Sequence, residues 1–310
     1  MFVLKYIVYI QIISGKVTNR NRNQKNNIDV SSYVLQMTSI NITFSTCWYI
    51  FKCKFDIDTY QSWMDNMLAN VRNYYLIVYS DETSSIHIEK YLKNPNIKLV
   101  IKPYEEFYNY KYKDQWIKNH EKNLILNPHI DWKVNMLWCE KIHFVSETIT
   151  QKYFDTEYYG WCDIGYFRCR PRDLIYPLLS SWPDTEKINK LNKTKIYYAI
   201  VNNDKGQMSK LYQGIHNKND KGLPVEPIHP RQVSIAGGFF ISYKDNINWW
   251  KQMFDEKLKL YLDNDYLVKD DQMIIVDCIF SDYLKHFQLI EENDPRFDNW
   301  FLFQRYLLFK

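Results

Sequence analysis

The chain has 310 residues, of which 46% are apolar and 25% charged, with only eight Gly and ten Pro. This composition excludes wholesale disorder, collagen-like repeats and low-complexity architecture, and the length suffices for one large α/β domain with a well-buried core. Forty Lys and Arg against 36 Asp and Glu leave a net charge of +4 spread along the chain, without the concentrated basic face of a duplex-DNA binder, so nucleic acid is excluded as the expected partner.

The first 36 residues differ from the rest. The apolar run Phe2–Ile13 is interrupted by Lys5 and Gln11, and at about 12 residues it is shorter than the roughly 20 that span a bilayer. A polar stretch, Lys16–Asn27, follows. Residues 1–36 are therefore expected to be an N-terminal extension or flexible arm, with a single domain over 37–310.

From there short β-rich runs alternate with helical ones. Ile40–Thr46 reads as a strand, and Asp58 as the N-cap of a helix carrying Trp63, Met64, Met67, Leu68 and Val71 on one face. Tyr74–Tyr79, ending at Ser80-Asp81, is a second strand, Ile86–Leu92 a short helix and Ile97–Lys102 a third strand. This βαβαβ order predicts a Rossmann-type, mostly parallel sheet with helices on both faces. After a Tyr/Lys-rich segment, Val134–Tyr153 is a long helix in which Trp138 belongs to the core pattern. The strand Tyr158–Cys162 ends in Asp163-Ile164-Gly165. Another strand covers Ile196–Val201, an aperiodic loop Asn202–Arg231, a strand Gly238–Tyr243 and a helix Asn246–Leu262. A loop of that length suggests a lid or binding loop.

Three Ala and eight Gly against 26 Tyr, 17 Phe and 10 Trp point to compositional drift, so aromatic residues are not assigned singly as ligand platforms. The six cysteines form no C-x-x-C pair and read as free thiols of a reducing compartment. No G-x-G-x-x-G follows the first strand, and neither a P-loop nor a G-x-S-x-G elbow occurs, which argues against dinucleotide oxidoreductases, P-loop ATPases and α/β-hydrolases.

Ligands of open α/β sheets bind beyond the carboxyl ends of the strands. Thr43, Ser45 and Thr46 at the first strand, Asp81 after the second and Asp163 after the fourth are therefore donor-site candidates. Asp163 reads equally as a ligand of a divalent ion on a diphosphate or as a turn former before Gly165. Arg168, Arg170 and Arg172 would share one face of an extended chain, as a phosphate clamp or as solvated surface. Ala236-Gly237-Gly238 implies positive φ or a close approach of backbone to something bulky. Asp270 and Asp271, opening a helical run before Gln272, offer one N-cap and one general base.

Four segments together, Val134-Asn-Met-Leu-Trp-Cys-Glu-Lys141-Ile-His-Phe-Val, Gly160-Trp-Cys-Asp163-Ile-Gly165-Tyr-Phe-Arg168, Ala236-Gly-Gly238-Phe-Phe and Asp270-Asp271-Gln272, resemble the HtrL/YibB family, which includes WlaTC-like proteins. The resemblance spans roughly residues 38–292. It implies a GT-A-like fold and a glycosyltransferase moving a sugar from a nucleotide-sugar donor to a glycan or glycolipid hydroxyl in surface polysaccharide synthesis. It makes Asp163 the counterpart of the Mn²⁺- or Mg²⁺-binding and diphosphate-binding Asp of a DxD motif, with Gly165 at the second acidic position. Lys141 and Arg168 would approach the donor, Gly237 and Gly238 would line its sugar pocket, and Asp271 with Gln272 would lie near the acceptor. His229 and His286 are the histidines open to a metal role. The alternative is a non-catalytic glycan- or nucleotide-binding module on a degenerate GT-A fold; a nucleotidyltransferase ranks third. The expected location is cytoplasmic with room for peripheral membrane contact, and the oligomeric state stays open.

Overall fold

In the computed structural model, which describes residues 39–308 apart from Ile175, the strand-like runs form one sheet. Its strands are β1 (Ile42–Trp48), β2 (Tyr75–Ser80), β3 (Ile97–Ile101), β4 (Tyr158–Cys162), β5 (Ile196–Ala199), β6 (Phe239–Tyr243) and β7 (Phe287–Ile290), in the order β3-β2-β1-β4-β6-β5-β7. All neighbouring pairs are parallel except those made by β6, which runs antiparallel to both β4 and β5. The expected α/β class, mostly parallel, is the one observed. The proposed 1–36 arm lies outside the described residues.

Helices of eight or more residues are numbered here: α1 (Ile57–Leu68), α2 (Lys113–Lys122), α3 (Trp132–Thr150), α4 (Lys205–His216), α5 (Lys244–Asp263) and α6 (Asp271–Cys278). Alternation along the strands sends successive side chains to opposite faces. Ile42, Phe44, Leu76 and Val78 join Met64 and Met67 of α1 in one core, while Ile77, Tyr79, Tyr159 and Trp161 join Phe144 of α3 and Trp250 of α5 in another. Twelve of the 19 residues of α3 are buried, so a purely apolar helix would be expected. Six of the twelve are instead polar, and each has a partner: Asn135 with Lys269 O, Glu140 with the Asn109 amide, His143 with Asp255, Ser146 with Asn248, Thr148 with Ser45, and Lys141 in the cleft described below.

Several boundaries differ from expectation. Asp56, not Asp58, caps α1, accepting from Thr59 N at 2.7 Å. The short helix expected over 86–92 is displaced to Glu82–Ser85, with a 3₁₀ turn at Glu89–Tyr91. The stretch expected to be an aperiodic loop contains α4, started by Asp204, which accepts from Gly206 N and Gln207 N. Of the α4 side chains only Ile215 is buried, so no apolar stripe advertises that helix. The edge strand β7 and helix α2 were not among the expected elements. No helix among the described residues is long and apolar enough to cross a membrane.

Candidate active site

Antiparallel β6 begins where parallel β4 ends: Cys162 is in register with Phe239, and Asp163 N donates to Gly238 O at 2.9 Å. The Gly237-Gly238 entry to β6 therefore lies beside the carboxyl end of β4. Lys141 of α3 and the N-terminus of α6 meet there. The cavity at this edge measures about 360 Å³ and adjoins a second of about 120 Å³; both touch Lys141, Asp163, Gly165 and Arg168. The larger is also lined by Gly237, Gly238, Asp270, Asp271 and Gln272. With Arg170, which also lines the larger cavity, ten of the sequence candidates, drawn from segments up to about 130 residues apart, thus surround one space.

Lys141 is the hub. Its Nζ donates to Gly237 O at 2.9 Å and pairs with Asp271 Oδ2 at 3.1 Å and Asp163 Oδ1 at 3.2 Å. Asp163 Oδ1 also accepts from Trp161 Nε1 at 2.5 Å. Burial works against the charge of Lys141, but Asp163 and Asp271 more than offset it and hold the ammonium above its ordinary pKa. Burial pushes the Asp271 carboxyl up to about 7, opposed by Lys141 and reinforced by Asp270 and Asp163. Asp270 is 7% exposed. Its Oδ2 pairs with Lys269 Nζ at 2.9 Å, while Oδ1 has no hydrogen-bond partner. Neither acid makes the expected cap. Asp270 occupies the N-cap position of α6 without a side-chain hydrogen bond to it, because its carboxylate is drawn to Lys269, and Asp271 is drawn to Lys141.

The two glycines are explained by what lies against them. A Cβ on Gly237 would stand 2.6 Å from Asp271 Oδ2, and one on Gly238 would stand 3.0 Å from Asp163 Oδ2. Close approach is the reason, and the bulky objects are the two carboxylates. The positive-φ alternative does not hold, since Gly222 is the glycine with positive φ among the described residues.

Other candidates lie elsewhere. Thr43, Ser45 and Thr46 are fully buried in the sheet: Thr43 shares a hydrogen bond with Thr156 and Ser45 with Thr148, while the Thr46 hydroxyl is unpartnered. The strand runs on to Trp48, two residues past its expected end, which sets these hydroxyls below the rim. Asp81 caps the Glu82–Ser85 turn, accepting from Ser84 N at 2.6 Å, and does not line either cavity. Cys169, with φ 53°, breaks the extended run expected of the arginines, yet Arg168 and Arg170 both line the larger cavity and both lie over the Phe301 ring, and only Arg172 stays outside it. Arg170 is bidentate to Asp173 and also bound to Asp298, and Arg172 binds the carbonyls of Pro295 and Phe297. Arg168 lies over the Trp63 ring at 4.0 Å with its Nε on Gly165 O and the rest of its guanidinium at the cleft.

Sequence reasoning missed part of the wall. Lys54 and Tyr60 follow β1, where the strand-end rule points, but they lie beyond the residues taken as the strand's end. Trp138, assigned to the core, is half-buried and lines the cleft with Lys54 Nζ 5.0 Å from its ring centre. Trp300 and Phe301 arrive from the C-terminal segment with no local signal.

A divalent ion does not fit these donors. Asp163 has no second carboxylate at its own strand end, since Gly165 stands there with its Cα against the Trp63 ring. His229 is exposed and accepts from Arg231 N, and His286 lies tilted against the Trp249 ring, outside the lining of both cavities. Among the described residues no three His, Cys, Asp or Glu side chains form a group that could hold a metal.

No family model matches the chain. No curated protein matches it either. Among solved structures it is similar to the galactosyltransferase LgtC in complex with donor and acceptor sugar analogues, at 13% identity and TM-score 0.42, covering 84% of this chain and 83% of that one. An active-site mutant of LgtC matches at 11% identity and TM-score 0.41, over 81% of this chain and 72% of that one. The 4-diphosphocytidyl-2C-methyl-D-erythritol synthase of Anaerococcus prevotii DSM 20548 matches at 12% identity and TM-score 0.36, over 84% of this chain and 90% of that one. The fold is a single mixed α/β domain with a mostly parallel seven-stranded sheet among the described residues.

Proposed function

We propose that the chain is a glycosyltransferase of GT-A-like fold that moves a sugar from a nucleotide-sugar donor to a hydroxyl of a glycan or glycolipid. The observation that carries this reading is the convergence of three buried or half-buried carboxylates, Asp163, Asp270 and Asp271, with Lys141 and Arg168 in one cleft at the carboxyl end of β4. Such a site has cations for a departing diphosphate and carboxylates for a hydroxyl proton.

The step the residues would serve forms a bond from the acceptor oxygen to the anomeric carbon and breaks the bond from that carbon to the diphosphate oxygen. The diphosphate leaves with the electron pair, next to Arg168 and Lys54. In an inverting reaction the acceptor proton passes to a carboxylate. Asp270 Oδ1 suits that role, because it is buried at the cleft and its lone pairs are free. Asp271 serves as its neighbour, held by Lys141. Positioning and charge stabilisation are the main contributions this arrangement supplies. All six cysteines are free, which suits a cytoplasmic protein.

The test is a thermal-shift and turnover screen of nucleotide-sugars on wild type, Asp163→Ala and Asp270→Asn. A donor at 100 times its Kd stabilises by about 2.7 kcal/mol, roughly 4 °C for a chain of this length at ~2.1 cal/mol/K per residue. The expected result is such a rise with one donor, lost in Asp163→Ala, and sugar release that Asp270→Asn slows by roughly 10²–10⁴. Binding without turnover would assign a non-catalytic module, and no shift with any nucleotide-sugar would refute the reading.

A further inference from the structure

Three oxygens from three separate elements converge on one point in the cleft: Gly237 O before β6, Asp163 Oδ1 after β4 and Asp271 Oδ2 at the start of α6. Two of them belong to acids. Oxygen donors converging in this way are what a hard divalent cation seeks, at about 2.0–2.6 Å. Here the point is taken by Lys141 Nζ, at 2.9, 3.2 and 3.1 Å respectively. An ammonium has three N–H donors and no acceptor; here Nζ is hydrogen-bonded to Gly237 O and held by the two carboxylate oxygens as ion pairs.

The geometry points to Lys141 as the resident cation of this site: its ammonium fills the oxygen cage that a divalent ion would otherwise occupy, and the donor's diphosphate is balanced by side chains alone. The second half of that statement rests on the nucleotide-sugar reading; the filled cage does not. The lysine is built in rather than passing through. Its side chain is only 10% exposed, it projects from a helix buried on most of its surface, and the Trp161 ring lies 5.8 Å from Nζ. The surroundings also leave no room for a larger ligand set. The Asp271 carboxylate lies against the Cα of Gly237 and that of Asp163 against Gly238.

Charge accounting agrees. With both carboxylates ionised, Lys141 with Asp163 and Asp271 carries one net negative charge, and Asp270 is paired with Lys269. Lys54 and Arg168 line the same cleft and face the space a diphosphate would enter, while Arg170, also in its wall, is held by Asp173 and Asp298. Removing the Lys141 charge would leave two acids and a carbonyl around a void, which is a cation site by construction.

The decisive experiment uses Mn²⁺ alone, with no nucleotide, on the full chain by calorimetry and thermal unfolding. Wild type is expected to show no saturable Mn²⁺ binding and no change in Tm on adding a chelator. Lys141→Met, with Lys141→Ala as the second variant, is expected to gain a saturable 1:1 Mn²⁺ site where wild type shows none, with a Tm that rises on metal addition. Adding Asp163→Asn to either variant should abolish that gain. A saturable site in wild type that Asp163→Asn removes would overturn the inference, as would a folded Lys141 variant that gains none. The wild-type arm decides even where a Lys141 variant fails to fold. Because no donor is present, failure here is separable from failure of the nucleotide-sugar screen.

Discussion

Gly237→Ala adds one methyl group at the point where the cleft is tightest. The new Cβ would meet Asp271 Oδ2 at 2.6 Å, Oδ1 at 2.8 Å and Cγ at 2.9 Å. Ordinary contact requires about 3.4 Å or more, so something must move by several tenths of an ångström. The carboxylate has no easy route out, since it is 3% exposed and held by Lys141 at 3.1 Å. The backbone is no freer, because Gly237 O is itself bound by Lys141 and the next residue accepts from Asp163 N. Overpacking of this kind costs about 1–3 kcal/mol, which lowers Tm by roughly 2–5 °C for a chain of this length. Gly214→Ala in α4 is the matched control. A Cβ there meets nothing within 4 Å, and exchanging Gly for Ala inside a helix is expected to stabilise by about 0.5–1 kcal/mol. The two variants are compared by thermal and urea unfolding. A Gly237→Ala protein as stable as wild type would refute the account of why glycine stands there, and a destabilised Gly214→Ala would refute the reading of the control.

Three further outcomes are expected. The pKa of Asp271 in the folded state, about 7, lies above the unfolded carboxylate value of 3.8, so the folded state binds the extra proton between them. The stability it contributes is fully present below about pH 4 and is lost as pH rises through about 7; Asp271→Asn should remove that component of the pH–Tm curve, and identical curves would dismiss it. Arg168→Ala should weaken nucleotide-sugar binding at least tenfold and reduce its salt sensitivity, whereas Arg172→Ala, whose guanidinium serves Pro295 and Phe297 carbonyls, should not; equal effects in calorimetry would remove Arg168 from the site. Glu140 accepts from the backbone N–H groups of Tyr108 and Asn109, so Glu140→Ala strands buried donors and should cost roughly 1–3 kcal/mol in urea unfolding; an unchanged midpoint would show that water replaces the carboxylate.

Much of the architecture follows from local pattern alone. The βαβαβ opening, the parallel class and the arrest of β4 at Asp163 rest on strand and helix periods, which are properties of neighbouring residues. The rule that strand ends carry ligands led to Asp163 and Arg168, and scarcity marked Gly237 and Gly238. Strand ends themselves were less legible: with β1 reaching Trp48, the hydroxyls of Thr43, Ser45 and Thr46 became core groups, and Lys54 and Tyr60 took the rim. Helix α4 escaped because it buries only Ile215, and β7 because a four-residue edge strand carries little signal. Trp138 and Lys141 are three residues apart on the same helix, and periodicity cannot say which buried group faces a neighbour and which faces a cavity. What only the tertiary structure decided is the meeting of α3, the β4 end, the β6 entry and the α6 start. Antiparallel β6 brings residue 237 beside residue 163, and long-range packing alone places one ammonium among three oxygens from distant parts of the chain.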